Sequence, residues 1–224
     1  MCTSFAPPLS LTPMAYQLLI FDFDGTLADS LPFFLEVFDI LAARHGFRPI
    51  ARDDLATLRT YDTRQLMRHV GLPAWKSVRV AADFRSLMAQ NIERIHPFDG
   101  VEAMLLELAA QGVTLALMSS NSLENVRAVL GPRSMALFTH LECGVSLFGK
   151  GHKLRRLLAA SGVAPARVLC VGDEVRDMEA ARGAGLDFGG VGWGYATPES
   201  LRARQPTRMF LTVAQLALVN QAPA

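Results

Sequence analysis

The sequence predicts an α/β fold in which a doubly wound parallel sheet carries an inserted α-helical domain. Short apolar runs alternate with helix-like segments near the amino terminus and again from residue 97 onward. Such alternation is typical of parallel βαβ units. Residues 31–96 show helical spacing of apolar side chains without strand alternation. We therefore expect a Rossmann-like core domain of residues 1–30 and 97–224, with an α-helical cap domain of residues 31–96.

In the first half, apolar spacing and helix-breaking residues define the elements. The run 16–22 is expected as the first strand. Pro32 suits the first turn of a helix that ends near Arg44, and Gly71-Leu72-Pro73 separates two later helices. The other helices are expected at 52–58, at 63–70 and within 74–95.

In the second half, strands and helices alternate. Asp99 is expected to cap a helix that ends before Gly112, and Gly131-Pro132 is expected to stop the helix 121–130. The strands are expected at 113–118, 137–143, 167–171, 188–191 and 208–211, and the remaining helices at 150–160, 174–184, 198–203 and 213–219.

Composition excludes several partners. The chain has 224 residues, of which 50% are hydrophobic, and its net charge of +1 argues against a nucleic-acid surface. Its most apolar long window, 101–118, contains Glu102, Glu107 and Gln111, so no membrane partner is expected. The sequence does not indicate the oligomeric state.

Cysteine usage and the amino-terminal segment indicate a cytoplasmic protein. The three cysteines, Cys2, Cys143 and Cys170, are odd in number and lack metal-ligand spacing, which fits a reducing compartment. Residues 1–14 contain three prolines and no charged side chain, unlike a secretory signal. We expect them to form a flexible leader.

Two carboxylates follow the first predicted strand directly. Asp22 and Asp24 stand in the stretch FDFDGTL, and Gly25 and Thr26 come next. Charge at the tip of an apolar strand is costly unless it has a partner, and open α/β sheets bind ligands at the carboxyl ends of their strands. This tip is therefore a candidate site.

Polar residues follow two further predicted strands. Ser119-Ser120-Asn121 comes after 113–118, and Gly172-Asp173-Glu174 comes after 167–171, with Asp177 four residues beyond Asp173. A basic segment, 149–153, lies between them. The order DxDGT, serine after a strand, lysine and GDxxxD resembles the haloacid dehalogenase-like hydrolase superfamily, most closely its phosphoglycolate phosphatase-like members, and residues 193–210 resemble that family's carboxyl-terminal part.

The resemblance implies roles for the two carboxylates of DxDGT. Asp22 would attack phosphorus and form an aspartyl-phosphate. Asp24 would protonate the leaving alkoxide and then accept a proton from the hydrolytic water. The helical cap of this family lies over the active site.

A divalent cation would offset the repulsion between these acids and a dianionic substrate. Mg²⁺ prefers hard oxygen ligands. Asp22 and Asp173 could supply carboxylates and Asp24 its backbone carbonyl, with Asp177 in an outer position. Glu174 is an alternative ligand or a solvated helix start.

Further residues are candidates for binding the phosphoryl group. The resemblance assigns Ser119 a hydrogen bond to a phosphoryl oxygen, while Ser120 and Asn121 are either added donors or helix caps. Thr26 is a further candidate, and the family threonine at this position usually braces the loop. The family's lysine is usually followed by proline, whereas here Lys150 stands between glycines. We favour Lys150 over Lys153 because it begins the helix.

These features predict a Mg²⁺-dependent phosphatase for a small phosphomonoester. A phosphomutase would keep the same four motifs and is an alternative. A non-catalytic module that binds a ligand through these residues is the alternative from another class.

Overall fold

The six strands form one parallel sheet in the order β3-β2-β1-β4-β5-β6. The computed structural model describes residues 15–145 and 150–221, so the expected leader 1–14 lies outside the described residues. The sheet confirms the predicted doubly wound fold. Its strands are β1 Leu18–Phe21, β2 Thr114–Met118, β3 Phe138–Glu142, β4 Val168–Gly172, β5 Asp187–Val191 and β6 Arg208–Phe210.

All named elements between β1 and β2 are helical, and the structure describes this whole stretch. They are α1 Leu31–His45, α2 Leu55–Leu58, α3 Thr63–Val70, α4 Ser77–Gln90 and α5 Val101–Ala110. The chain enters and leaves the segment 31–96 at neighbouring points, because Ala28 bridges Pro97 and the Asp29 N–H donates to the His96 carbonyl at 2.9 Å. The division into a cap and a core domain stays a prediction.

The later helices connect the remaining strands. They are α6 Leu123–Met135, α7 Lys150–Ser161, α8 Val175–Gly183, α9 Pro198–Arg202 and α10 Val213–Ala217. Single 3-10 turns occur at Arg52–Asp54, Ala74–Lys76, Ile92–Arg94 and Pro165–Arg167. Among residues 15–145 and 150–221, no helix combines the length and apolar character that crossing a membrane requires.

Two predicted helix limits were wrong. Asp99 does not cap α5, because Gly100 occupies the N-cap position with φ 84°, a left-handed conformation that glycine adopts at low cost. Gly131 interrupts α6 with φ 72° and ψ 166°, but Pro132 begins a further helical turn that extends to Met135. Pro132 fits there because the first turn of a helix needs no donor from it.

The position of β1 explains where a site can form. Leu19 and Phe21 pack into the larger apolar cluster, whereas Leu18 and Ile20 pack into a second cluster on the other face. The chain winds outward from β1 through β2 to β3, and then in the opposite direction from β4 to β6. The strand order therefore reverses between β1 and β4, and a crevice is expected at their carboxyl ends.

Candidate active site at the carboxyl end of the sheet

Three aspartates meet at the ends of β1 and β4. Asp22 follows β1, and its N–H donates to the Val171 carbonyl of β4 at 2.9 Å. Asp173 follows β4, and Asp177 lies in the first turn of α8. All three are buried, and one carboxylate oxygen from each lies within 4.8 Å of the others. The parallel register of β1 and β4 thus joins residues 151 positions apart in sequence.

Lys150 is the cation inside this cluster. Its Nζ lies 2.9 Å from Asp22 Oδ2 and donates to Asp177 Oδ1 at 2.6 Å. The side chain is 6% exposed. Lys153, one turn later, donates to Glu142 Oε2 at 3.0 Å and is 36% exposed. The structure therefore brings Lys150 to the aspartates and directs Lys153 elsewhere.

Thr26 and Tyr195 fix the Asp173 carboxylate. The Thr26 hydroxyl donates to Oδ1 at 2.9 Å, and the Tyr195 backbone N–H donates to Oδ2 at 2.7 Å. A carboxylate has about four acceptor positions, so two remain for a cation. The buried Thr26 hydroxyl is thus occupied by Asp173, and its contact with a phosphoryl group stays a prediction. Its observed contact is one that braces the carboxylate.

Two glycines allow the backbone to approach Asp173 closely. A Cβ at Gly25, where φ is 75°, would lie 2.2 Å from Asp173 Oδ2. A Cβ at Gly194 would lie 2.3 Å from the Gly25 carbonyl oxygen and from Asp173 Cβ. No side chain fits either position without displacing the carboxylate, so both glycines are needed for its position.

Asn121 orients the second carboxylate of DxDGT. Its Nδ2 lies 3.2 and 3.1 Å from Asp24 Oδ1 and Oδ2. The amide orientation is fixed because its Oδ1 accepts from the Ser122 N–H and from Asn125 Nδ2, each at 2.9 Å. The Asp24 carboxylate is not part of the three-aspartate cluster. The predicted metal contact of Asp24 through its backbone carbonyl stays a prediction.

The serines after β2 are ordered by the same loop. Ser119 is fully buried, and its Oγ accepts from the Asn121 N–H at 2.9 Å. The Ser120 carbonyl accepts from Arg85 Nη1 of α4 at 3.1 Å. The loop thus places both serines at the end of β2 next to Asn121, which contacts Asp24. Their contact with a phosphoryl group stays a prediction.

The cluster is electrostatically unbalanced. Burial raises the pKa of Asp22 to about 7, although the Lys150 and Arg176 cations oppose that rise. Burial also acts to raise the pKa of Asp177, but Lys150 and Arg176 outweigh it and lower that pKa. Burial raises the pKa of Asp173 well above its usual range, and neighbouring carboxylates raise it further. The charges present therefore leave the carboxylates short of positive charge.

Mg²⁺ fits this arrangement. Asp22 Oδ2 is buried without a donor in hydrogen-bond geometry, and the clustered atoms are hard oxygens of the kind that Mg²⁺ prefers. Glu174, the alternative ligand, is occupied otherwise. Its Oε2 accepts from Arg176 Nε at 2.6 Å and its Oε1 accepts from the Thr63 hydroxyl at 3.1 Å.

A cavity of about 200 Å³ lies between the helical segment and Asp24. Arg59, just after α2, closes one side by donating to the Gly194 and Tyr195 carbonyls at 2.8 and 3.0 Å. Sequence reasoning missed Arg176, which also lines this cavity. Its position between Glu174 and Asp177, in the first turn after a strand end, was the available signal.

The comparisons with known proteins agree with this geometry. The sequence model of the haloacid dehalogenase-like hydrolase family matches residues 19–191. The chain belongs to this family. It is 36% identical over 201 residues to a phosphoglycolate phosphatase of Synechococcus elongatus, and this alignment covers 89% of this chain and 95% of the relative. A 5'-nucleotidase of Pseudomonas aeruginosa is 30% identical over 219 residues, 92% of this chain and 96% of the relative.

A solved structure supports the fold of this hydrolase. A Lactobacillus plantarum protein assigned as a phosphoglycolate phosphatase superposes with a TM-score of 0.77 at 23% identity, covering 92% of this chain and all of that one. The family match and the phosphatase relatives confirm the resemblance that the motifs indicated. The chain is a phosphoglycolate phosphatase-like hydrolase of the haloacid dehalogenase-like family.

Proposed function

We propose that this hydrolase is a Mg²⁺-dependent phosphatase that cleaves a small phosphomonoester through an aspartyl-phosphate on Asp22. The observation that carries the proposal is the buried cluster of Asp22, Asp173 and Asp177 around Lys150, at the carboxyl ends of β1 and β4. Phosphoryl transfer needs a nucleophile, a proton donor and concentrated positive charge. The cluster and the adjoining Asp24 offer residues for all three.

In the first step, Asp22 attacks phosphorus. The bond from an Asp22 oxygen to phosphorus forms while the bond from phosphorus to the alcohol oxygen breaks, and Asp24 gives its proton to the departing alkoxide. In the second step, Asp24 accepts a proton from water as the water oxygen attacks the same phosphorus. Inorganic phosphate leaves and the Asp22 carboxylate is restored. Asn121 holds Asp24 in place for both transfers.

Charge on the phosphoryl oxygens is met by Lys150 and by the donors of the β2 loop, Ser119, Ser120 and Asn121. Bound to Asp22, Asp173 and the Asp24 carbonyl, Mg²⁺ would neutralise the negative charge between the nucleophile and the phosphoryl group. Asp177 holds Lys150 in position through the 2.6 Å contact. Thr26 and Tyr195 keep Asp173 directed at the same place.

Residues 31–96 act as a cap over this site in the proposal. The cavity of about 200 Å³ beside Asp24 restricts the leaving group to a small molecule and limits the access of bulk water, while leaving room for the hydrolytic water. The name of the Synechococcus relative makes 2-phosphoglycolate the first substrate to test. We also place the enzyme in the cytoplasm, because Cys143 and Cys170, the described cysteines, are both free.

The proposal is tested by phosphate release from a panel of phosphomonoesters with Mg²⁺, using Asp22→Asn as the inactive control. Release by the wild type and none by the variant supports it. Equal release by both would reject Asp22 as nucleophile. Isomerisation of a sugar phosphate without phosphate release would make the enzyme a phosphomutase instead.

A further inference from the structure

We propose that Arg176 binds a carboxylate on the leaving alcohol, so that the enzyme selects phosphomonoesters of small hydroxy acids. This inference rests on the proposed phosphatase function. It goes beyond that function by assigning a specificity-determining role to Arg176, one of the unspecified positions within GDxxxD.

One edge of the Arg176 guanidinium is already occupied. Nε donates to Glu174 Oε2 at 2.6 Å, and Nη2 pairs with the same oxygen. Nη1 is different, because it is buried and makes no hydrogen bond to the protein. Glu174 in turn accepts from Thr63 on α3. The guanidinium is therefore held by one side while the opposite nitrogen stays unpaired.

An unpaired buried guanidinium nitrogen is costly. Leaving a buried charged donor unsatisfied sacrifices the hydrogen bond it made to water. Arginine presents its donors as a rigid planar fork that matches a carboxylate. A carboxylate arriving from the substrate would satisfy Nη1 in a region from which bulk water is excluded.

The Arg176 side chain borders the cavity that would receive the leaving alcohol. Arg176 and Asp24 line the same cavity. The positive charge of the guanidinium also opposes the rise that burial causes in the pKa values of Asp22 and Asp24. A substituent of the leaving alcohol that enters this cavity would therefore share it with Asp24 and Arg176.

The other arginines that line the cavity are committed to backbone oxygens. Arg59 donates to the Gly194 and Tyr195 carbonyls, and Arg85 donates to the Ser120 carbonyl. Most of the remaining described lining is apolar, including Phe34, Leu66 and Phe84. Among the described residues of this cavity, Arg176 is thus the cation with a buried donor left for a second anionic group.

The test compares two esters that differ in that group alone. 2-Phosphoglycolate carries a carboxylate where 2-hydroxyethyl phosphate carries a neutral hydroxymethyl group. In Arg176→Gln we expect kcat/KM for 2-phosphoglycolate to fall about 10- to 100-fold, mainly through KM, as loss of a charged hydrogen bond would produce. For 2-hydroxyethyl phosphate the change should stay within about threefold. Arg176→Lys should recover part of the loss for 2-phosphoglycolate.

Arg59→Gln is the matched comparison. It removes an arginine that lines the same cavity but donates to backbone carbonyls of the protein. We expect it to affect both esters to the same degree. If Arg176→Gln reduces both esters equally, Arg176 acts on the transferred phosphoryl group or on the fold, and the inference is rejected. A wild type without preference for 2-phosphoglycolate over its neutral analogue also rejects it. If the wild type releases no phosphate from either ester or from phenyl phosphate, the proposed function itself fails.

Discussion

Lys150 Nζ lies 2.9 Å from Asp22 Oδ2, and both side chains are almost completely buried. This contact places a cation against the carboxylate that is proposed to attack phosphorus. Burial by itself disfavours the charged lysine, but Asp177 and Asp22 outweigh it and raise the pKa of Lys150. The lysine therefore stays charged in a part of the protein where its field is weakly screened.

The two lysines of α7 should differ sharply in their contribution to activity. Lys150→Ala removes the cation from the cluster and should lower kcat about 100-fold or more, because fixed positive charge at the phosphoryl oxygens stabilises the transition state. Lys153→Ala breaks a partly exposed pair with Glu142 and should change kcat less than about threefold. Steady-state kinetics on an aryl phosphate measures both. The reverse ranking would move the role to Lys153.

Activity should depend on Mg²⁺. The buried aspartates lack enough positive charge, and their oxygens suit this ion. Excess chelator should abolish turnover of an aryl phosphate, and added Mg²⁺ should restore it. Asp173→Asn should raise the Mg²⁺ concentration needed for half-maximal activity. Full turnover in excess chelator would contradict the metal assignment.

Gly25→Ala should inactivate the enzyme through a steric contact. The new Cβ would meet Asp173 Oδ2 at 2.2 Å, in a backbone conformation with φ 75°. The carboxylate must move, so both activity and the affinity for Mg²⁺ should fall, and the free energy of unfolding should drop by roughly 1–3 kcal/mol.

Gly162→Ala is the matched control for that variant. It carries similar strain at φ 66°, but its Cβ would have no neighbour within 4 Å. It should lose about 1–2 kcal/mol of stability and keep its kcat. If both glycine variants keep their activity, the close approach of Gly25 to Asp173 does not matter for the site.

Asn121→Asp should impair proton transfer by Asp24. The substitution replaces an amide that donates to Asp24 with a carboxylate that repels it, at nearly constant volume. We expect kcat to fall about 10- to 100-fold for an alkyl phosphate, whose leaving group needs protonation. The fall should be smaller for nitrophenyl phosphate. An equal loss for both substrates would show that Asn121 does not act through Asp24.

Local sequence signals predicted the sheet and the motif positions well. Apolar runs that end in polar residues marked β1, β2 and β4, because a buried strand needs apolar side chains and a site needs polar ones at its tip. The choice of Lys150 over Lys153 also agrees with the observed contacts, since the first residue of α7 faces the strand ends.

Contacts between distant segments could not be predicted in the same way. Thr26 reaches Asp173 across 147 positions, and Arg59 reaches Gly194 across 135. These contacts depend on the packing of β1 against β4 and of the helical segment on the core, which no local pattern encodes. For the same reason the sequence did not reveal the free nitrogen of Arg176.

The most direct test of the account is detection of the phosphoenzyme. In Asp24→Asn, Asp22 remains a nucleophile, and nitrophenolate leaves without protonation, but the base for hydrolysis is lost. Mass spectrometry of this variant, quenched after mixing with nitrophenyl phosphate and Mg²⁺, should show an adduct of about 80 Da, the mass of an added HPO₃. The double variant Asp22→Asn, Asp24→Asn should show none. An adduct that persists without Asp22, or one located on another residue, would contradict the assignment of Asp22 as the nucleophile.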